Sequence, residues 1–492
     1  MKQVHSLKLN FIMNSLLTMS SFIFPLITFP YVSRILLPEG TGKVSFATSL
    51  ISYFTIFAQL GIPTYGVRAC AKVRDDKEKL TRTVHELLFI NIVMTIISYI
   101  IFILVLFFIP RLHEERMLYI VVSCNIILTS IGMEWLYKAL EQYTYITIRS
   151  IIFKFIALIG MFLLIHKQED YIIYGGITIF ASCASNIFNL INAHHYITFR
   201  NVGNYNCRRH LKAVGVFFAM ACATTIYTHL DTVMLGFMKT DDDVGYYNAA
   251  VKIKTILVSI VTSLGTVLLP RVSYYVEHQM MEEFRKISTK ALNFVFLLAS
   301  SLMLYFILFA KQGIFFLSGE AYGSSIIPMQ IIMPTLVLIG LSNILGIQIL
   351  VPLGKEKIVL YSEIVGAGTD LLLNALLIPK LASVGAAIGT LVAEAAVLIV
   401  QFVVLKNEIK DAFCQISYFK ILFALALGVI ASVWVPVLHP ETVFGETWGS
   451  FVVMAISAIL FFSIYGASLL VLKEKLTVEI AQQLIGKLKK RK

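Results

Sequence analysis

Six polar residues recur at helical spacing inside an otherwise apolar stretch of this chain. Asn248, Lys252, Thr255, Ser259, Thr262 and Thr266 follow one another at steps of 4, 3, 4, 3 and 4. That spacing puts them on one face of an α-helix, running for roughly 27 Å at 1.5 Å per residue. A face of amide, ammonium and hydroxyl groups is polar enough to line a water-filled cavity. Hydroxyls alone would serve equally well to pack helix on helix; the lysine among them points to a water-accessible cavity. A second polar stripe, Ser45, Ser49, Ser52 and Gln59, lies 203 residues before Asn248, Lys252, Thr255 and Thr262.

Ionisable residues within apolar runs are few: Glu134, Lys154, Asp231, Lys252, Lys254, Glu363, Asp370 and Glu394, with His229 beside Asp231. A charge near the centre of a membrane span costs roughly 2.5–3.5 kcal/mol on insertion scales and marks a functional candidate. Glu134 and Lys154 lie near span ends, where snorkelling to the interface accounts for them. Asp231 either pairs with Lys252 or Lys254 or holds a coupling cation or proton, and both readings stand. Glu394, at mid-span, is the other acid suited to coupling. Arg34, at the end of the first span, can snorkel to the outer interface.

Other chemistries find no signature. There is no GxxxxGK[ST] phosphate loop, no HExxH, no CxxC and no GxSxG, so the sequence is not expected to be an enzyme. No cofactor is expected beyond H+ or Na+ as a coupling ion. The cysteines Cys70, Cys124, Cys183, Cys207, Cys222 and Cys414 lack metal-ligand spacing and read as reduced and packed.

The elements that must position these residues follow from composition. Hydrophobic residues are 58% and charged residues 14% of 492, against roughly 25% charge in a soluble domain. Lipid can solvate that much apolar surface, and within lipid a backbone must satisfy itself, as helices or a closed barrel. The apolar runs are of helix-span length, not alternating ten-residue strands. Fourteen spans are expected, at about 9–36, 44–66, 86–109, 117–139, 149–166, 171–193, 212–238, 246–270, 291–317, 325–351, 357–378, 384–405, 418–438 and 449–472. The first is too long for a signal-peptide core and is expected to stay as a helix.

Charge gives these spans a direction. With the N-terminus in the cytoplasm, 31 of the 41 Lys and Arg fall on the inner side and 8 on the outer, with Lys252 and Lys254 inside the eighth span. The positive-inside rule then puts both termini in the cytoplasm. The net charge of +12 is thereby explained without nucleic acid. The tail Lys487, Lys489, Lys490, Arg491 and Lys492 reads as an anchor at anionic lipid.

The 203-residue offset also matches Gly42 with Gly245, Ala47 with Ala250 and Arg68 with Arg271, and brings spans one and two over seven and eight. Six spans separate the copies, so both run the same way, as in transporters built of two parallel halves. The expected organisation is an N-lobe over 1–211, a C-lobe over 212–405, and two further helices with the basic tail over 406–492.

Two stretches resemble the polysaccharide biosynthesis flippases, the Wzx-type exporters of the multidrug/oligosaccharidyl-lipid/polysaccharide superfamily. The first carries Tyr31, Arg34, Gly40, Gly42, Leu60, Gly61, Pro63 and Arg68. It departs from the family's usual Leu-Gly at Leu36, Leu37 and Pro38. The second carries Asp231, Leu235, Gly236, Gly245, Tyr247, Ala250 and Lys252. The resemblance implies two six-helix lobes in a V around a central cavity, with two helices appended. It implies alternating access that carries an undecaprenyl-pyrophosphate-linked oligosaccharide to the outer leaflet of a bacterial or archaeal plasma membrane. A polysaccharide polymerase and glycosyltransferases would share the pathway.

On that implication Lys252, then Lys254 and Arg34, would meet the pyrophosphate through charge-assisted bonds. Asn248, Thr255, Ser259, Thr262, Ser45, Ser49, Ser52 and Gln59 would meet the glycan. Pro25, Pro30 and Pro63 would supply hinges. A cation-coupled multidrug antiporter and a lipid II-type flippase are the alternatives within the superfamily. A membrane-embedded glycosyltransferase or polymerase would need carboxylates on a long outer loop.

Overall fold

The computed structural model describes residues 7–489. Lys490, Arg491 and Lys492 lie outside the described residues, as do the side chains of Lys487, Lys489 and Thr266. The described chain is helical and divides into two compact units, Met1–Gly245 and Tyr246–Lys492.

In the first unit, α1 (Leu7–Gln59) is followed by α2 (Ile62–Ala71), α3 (Lys77–Phe108), the short α4 (Pro110–Glu114), α5 (Arg116–Ile131), α6 (Glu134–Ala139) and α7 (Tyr143–Leu164). Then come α8 (Tyr171–Ile179), α9 (Asn186–Asn192) and α10 (Arg208–Met238). α11 (Asp241–Glu277) leads into the second unit. There α12 (Met281–Leu308), α13 (Ala310–Ser318), α14 (Ile326–Ile332), α15 (Thr335–Asn343), α16 (Glu356–Cys414), α17 (Tyr418–Ser432), α18 (Glu441–Val471) and α19 (Lys475–Lys489) complete the chain.

Eleven helices among the described residues are long and apolar enough to cross a membrane, or twelve if the pair bent by 45° around Thr335 is one span. That falls short of the expected fourteen because two of the eleven are very long. A 53-residue helix such as α1 would extend about 80 Å at 1.5 Å per residue, far more than a hydrocarbon core of about 30 Å. Each long helix contains a break. In α1 it falls at Leu37 (φ 57, ψ −179), where the following Pro38 disfavours helical backbone in its predecessor. Leu37 thus adopts a conformation natural to glycine, at the place where the sequence departs from the family's Leu-Gly. In α16 it falls at Ala382 (φ 49, ψ −127), three residues after Pro379.

The prolines sort differently from the expectation. Pro25 and Pro30 lie inside α1. Pro63 occupies the first turn of α2, where a missing N–H costs nothing, so it starts a helix and does not weaken one. The second expected span ends early, at the left-handed pair Leu60 (φ 47) and Gly61 (φ 72).

Within the first unit α1 packs against α3, α5, α7 and α10. α10, at the start of the expected C-lobe, lies against α1 inside the first unit, which ends at Gly245. In the second unit α17 and α18 pair with each other and pack on α12 and α13. Leu297, Phe309, Ile421, Val453 and Phe461 fill that junction. Buried phenols there find acceptors, Tyr305 on the Met454 carbonyl at 2.7 Å and Tyr465 on the Leu297 carbonyl at 3.1 Å, as a polar tip away from water must.

The outward faces are apolar. Phe107 and Phe108 are 71% and 74% exposed, and Ile459 and Leu372 each 67%, part of an exposed apolar surface larger than a water-soluble protein carries. This is a multi-pass membrane protein.

Candidate functional site

The first unit gathers the N-terminal polar residues between α1 and α10. Ser45 and Ser52 are half-buried and Ser49 is buried. The Ser49 hydroxyl lies 3.2 Å from His229 Nδ1, and the Tyr53 ring meets the His229 ring edge-on at 6.4 Å. Asp231, half a turn further along α10, is 6% exposed. Gln59 is half-buried at the end of α1. Arg34 is half-buried and donates to the Pro30 carbonyl one turn back. Lys154 does not snorkel: its ammonium reaches Ser20 at 2.8 Å and Ser21 at 3.0 Å on α1.

The second unit holds the stripe on α11. Asn248, Lys252, Lys254, Ser259 and Thr262 are half-buried and Thr255 is exposed. The hydroxyls of Thr255, Ser259 and Thr262 hydrogen-bond back to the carbonyls of Val251, Ile256 and Val258 at 2.8, 2.6 and 2.9 Å. Their oxygens keep free lone pairs for an outside donor. The N-terminal end of the stripe meets α16. The Tyr247 hydroxyl lies 2.8 Å from Thr390 Oγ1, one turn before Glu394.

That arm of α16 carries a buried polar cluster from which the sequence named the acids alone. Asp370 (1% exposed), Asn374 (0%), Thr390 (6%) and Glu394 (7%) come from the two sides of the break at Ala382. Gly389 makes the approach possible. A Cβ there would overlap the Asn374 side-chain oxygen and stand 3.1 Å from Asp370 Oδ1. Asn374 and Thr390 escaped notice because they carry no charge, and only ionisable residues within apolar runs stand out as functional candidates. Glu363 is half-buried on the same helix.

Two further constellations are invisible in linear sequence. One is a cavity of about 390 Å³ lined by Glu39, Lys43, Arg111, Glu115, Tyr119 and Asp241, among others. Lys43 sits 2.9 Å from both Glu39 and Glu115, and Tyr171 donates to Glu115 at 2.6 Å. Arg111 bonds Asp241 at 2.9 Å and the Lys239 carbonyl at 2.8 Å. The other is built on Glu86, whose side chain is 0% exposed. Its carboxylate accepts from Arg209 Nη2 at 2.6 Å, from the Asn206 N–H at 2.7 Å and meets His210 Nε2 at 2.7 Å. Tyr65 in turn lies 2.8 Å from His210 Nδ1. This cluster fixes the start of α10 to α2 and α3.

All six cysteines are unpaired, and no group of three or more metal-ligating side chains occurs among the described residues.

Comparison with known proteins places the chain in a family and a fold. Residues 7–276 match the family described as polysaccharide biosynthesis protein. A protein of Escherichia coli (strain K12) named "Putative O-antigen transporter" is 27% identical over 82% of this chain and 97% of its own. One of the same name from Shigella dysenteriae is 25% identical over 80% of this chain and 98% of its own. Among solved structures, the lipid II flippase MurJ in an inward closed conformation superposes with a TM-score of 0.66, at 15% identity, covering 92% of this chain and 99% of that one. That likeness establishes the fold.

Proposed function

Because this chain belongs to the polysaccharide biosynthesis protein family, we propose that it is a flippase for lipid-linked oligosaccharides. It carries undecaprenyl-pyrophosphate-linked repeat units from the cytoplasmic to the outer leaflet of a bacterial plasma membrane. What supports the reading is the α11 face, where Lys252 stands between Asn248 and Thr255 within a membrane-spanning helix. An ammonium in low dielectric binds a pyrophosphate strongly, and the flanking amide and hydroxyls suit a glycan. Lys254 and Arg34 are the further cationic candidates. Ser45, Ser49, Ser52 and Gln59 supply the matching polar face on α1.

Both termini are placed in the cytoplasm by the distribution of Lys and Arg. We read fourteen crossings, by dividing α1 and α16 at their breaks and counting the bent pair as one span. Coupling to H+ or Na+ is assigned to Asp231 and to Glu394, the latter beside Asp370 and Asn374. A polymerase and glycosyltransferases of the same pathway are the expected partners.

The test is Lys252→Ala in a strain whose surface glycan depends on this gene. The expected result is loss of surface glycan with unchanged protein level. Normal glycan would overturn the lysine's role. Surface glycan that is independent of the whole gene would overturn the flippase reading and favour a cation-coupled antiporter. Labelling of cysteines introduced at the exposed positions Lys72 and Lys380 checks the topology, with the latter alone expected to react from outside.

A further inference from the structure

Where α11 leaves the apolar zone and α12 begins, the second unit contains a cleft of about 420 Å³. Of its lining residues Arg271, Lys286 and Lys290 are exposed, the rim, and Ile287, Phe294 and Leu476 are half-buried, the floor. Leu476 belongs to α19, which is held over the cleft by the Lys290–Glu479 pair at 2.7 Å and the Asn293–Glu474 hydrogen bond at 2.9 Å. A second cleft of about 230 Å³ continues from it, sharing Lys286, Lys290 and Leu476 and adding Lys475.

The rim cations are incompletely neutralised. Arg271 is exposed and has no acidic partner among the described residues. Among the described residues Lys286 has only Glu282, at 3.8 Å with both side chains largely in solvent. Glu283 is the one acid lining the larger cleft. Two cations above an apolar floor, at the start of the apolar helix α12, complement a group that is anionic at one end and aliphatic at the other.

The repeat supplies an internal control. Moving back 203 residues turns Arg271, Lys286, Lys290 and Phe294 into Arg68, Thr83, Leu87 and Asn91. In the first unit Thr83, Leu87 and Asn91 are 4%, 0% and 2% exposed, and Asn91 is turned onto the Ala58 carbonyl at 2.7 Å. The positions at that offset are sealed there. The lysines of α12 are therefore not a requirement of the architecture.

We propose that this cleft binds the phosphodiester headgroup of an anionic phospholipid, with Arg271 and Lys286 on the phosphate and an acyl chain on Ile287, Phe294 and Leu476. The site is separate from the polar face of α11 and does not depend on the transport reading. Bound there, the lipid would pin α19 to the end of α12.

The test uses the full chain purified in detergent and native mass spectrometry with phosphatidylglycerol or phosphatidylcholine. Wild-type protein is expected to retain phosphatidylglycerol and not phosphatidylcholine. Each cation removed is expected to cost about 5-fold in retention, so Arg271→Gln with Lys286→Gln loses more than either alone. Size-exclusion profiles establish that the variants are folded. Lys286→Gln alone, at an exposed position, serves should the double variant aggregate. Equal retention by the variants, or equal retention of phosphatidylcholine, overturns the proposal. So does displacement by millimolar inorganic phosphate, which would mean an anion site without a lipid floor. Stronger retention of undecaprenyl pyrophosphate than of phosphatidylglycerol would also overturn it, by assigning the cleft to the transported lipid.

Discussion

Gly42 and Gly245, 203 residues apart, lie against each other where α1 resumes after its break and where α11 begins. A Cβ on Gly42 would overlap the Asp241 carbonyl and stand 2.9 Å from the Gly245 nitrogen. A Cβ on Gly245 would overlap the Pro38 carbonyl. Pro38 and Asp241 are themselves related by the same offset. Each glycine thus packs on the residue that opens the other's helix, a reciprocal contact that follows the repeat. Backbones this close leave no room for a side chain.

Gly42→Val and Gly245→Val should each destabilise the protein by about 1–3 kcal/mol or more through forced separation of the helix starts. Thermal unfolding followed by detergent size exclusion reads this out. Wild-type melting in either variant would show that the two helix starts do not meet.

Glu86 neutralises Arg209 and anchors His210 and the Asn206 N–H from a side chain with no solvent exposure. Glu86→Ala leaves these donors without an acceptor, and loss of one member of a buried pair costs about 3–5 kcal/mol. The half-exposed Arg209 can turn to water, which favours the lower end. The expected sign is a lower melting temperature and faster proteolysis of the 196–207 segment. Unchanged proteolysis would remove the anchoring role.

The Glu474 carboxyl is buried, which opposes its ionisation. The Thr477 N–H at 2.7 Å, Asn293 Nδ2 at 2.9 Å and the Thr477 hydroxyl at 2.8 Å outweigh that and hold it below the usual glutamate range. A carboxyl lowered by folding contributes stability that is complete above its unfolded value and lost as pH falls through its folded value. Docking of α19 should be constant from neutral pH down to about 5, weaken below about 4.3 and vanish in stronger acid. Hydrogen exchange over 475–483 measures it, and Glu474→Gln should flatten the profile. A profile unaltered by that substitution would place the titration elsewhere.

Tyr305 is 2% exposed, with its hydroxyl on the Met454 carbonyl and 3.0 Å from Ser457. Tyr305→Phe should cost about 1 kcal/mol for the lost hydrogen bond, and Tyr305→Ala about 3–5 kcal/mol for the cavity. Equal melting temperatures for the two variants would contradict the packing of α12 on α18.

Membrane class and helical spans were legible from composition and run length, because each is a property of residues near one another in sequence. So were Lys252 and its stripe, since helical periodicity places them on one face whatever surrounds the helix. The breaks at Leu37 and Ala382 were less legible. Hydropathy does not register a reversal of φ, although Pro38 and Pro379 mark both neighbourhoods.

The sequence by itself determined that this protein lives in a membrane and carries a cationic, hydroxyl-rich helix face. Only the tertiary structure decided that α10 packs with the first unit, that Asn374 and Thr390 join Asp370 and Glu394, and that Glu86 gathers Arg209 and His210. Those groupings depend on which distant backbones approach, and approach is set by small residues such as Gly42, Gly245 and Gly389. A glycine's missing side chain has no hydropathy to read. Its effect exists only once a second helix occupies the space.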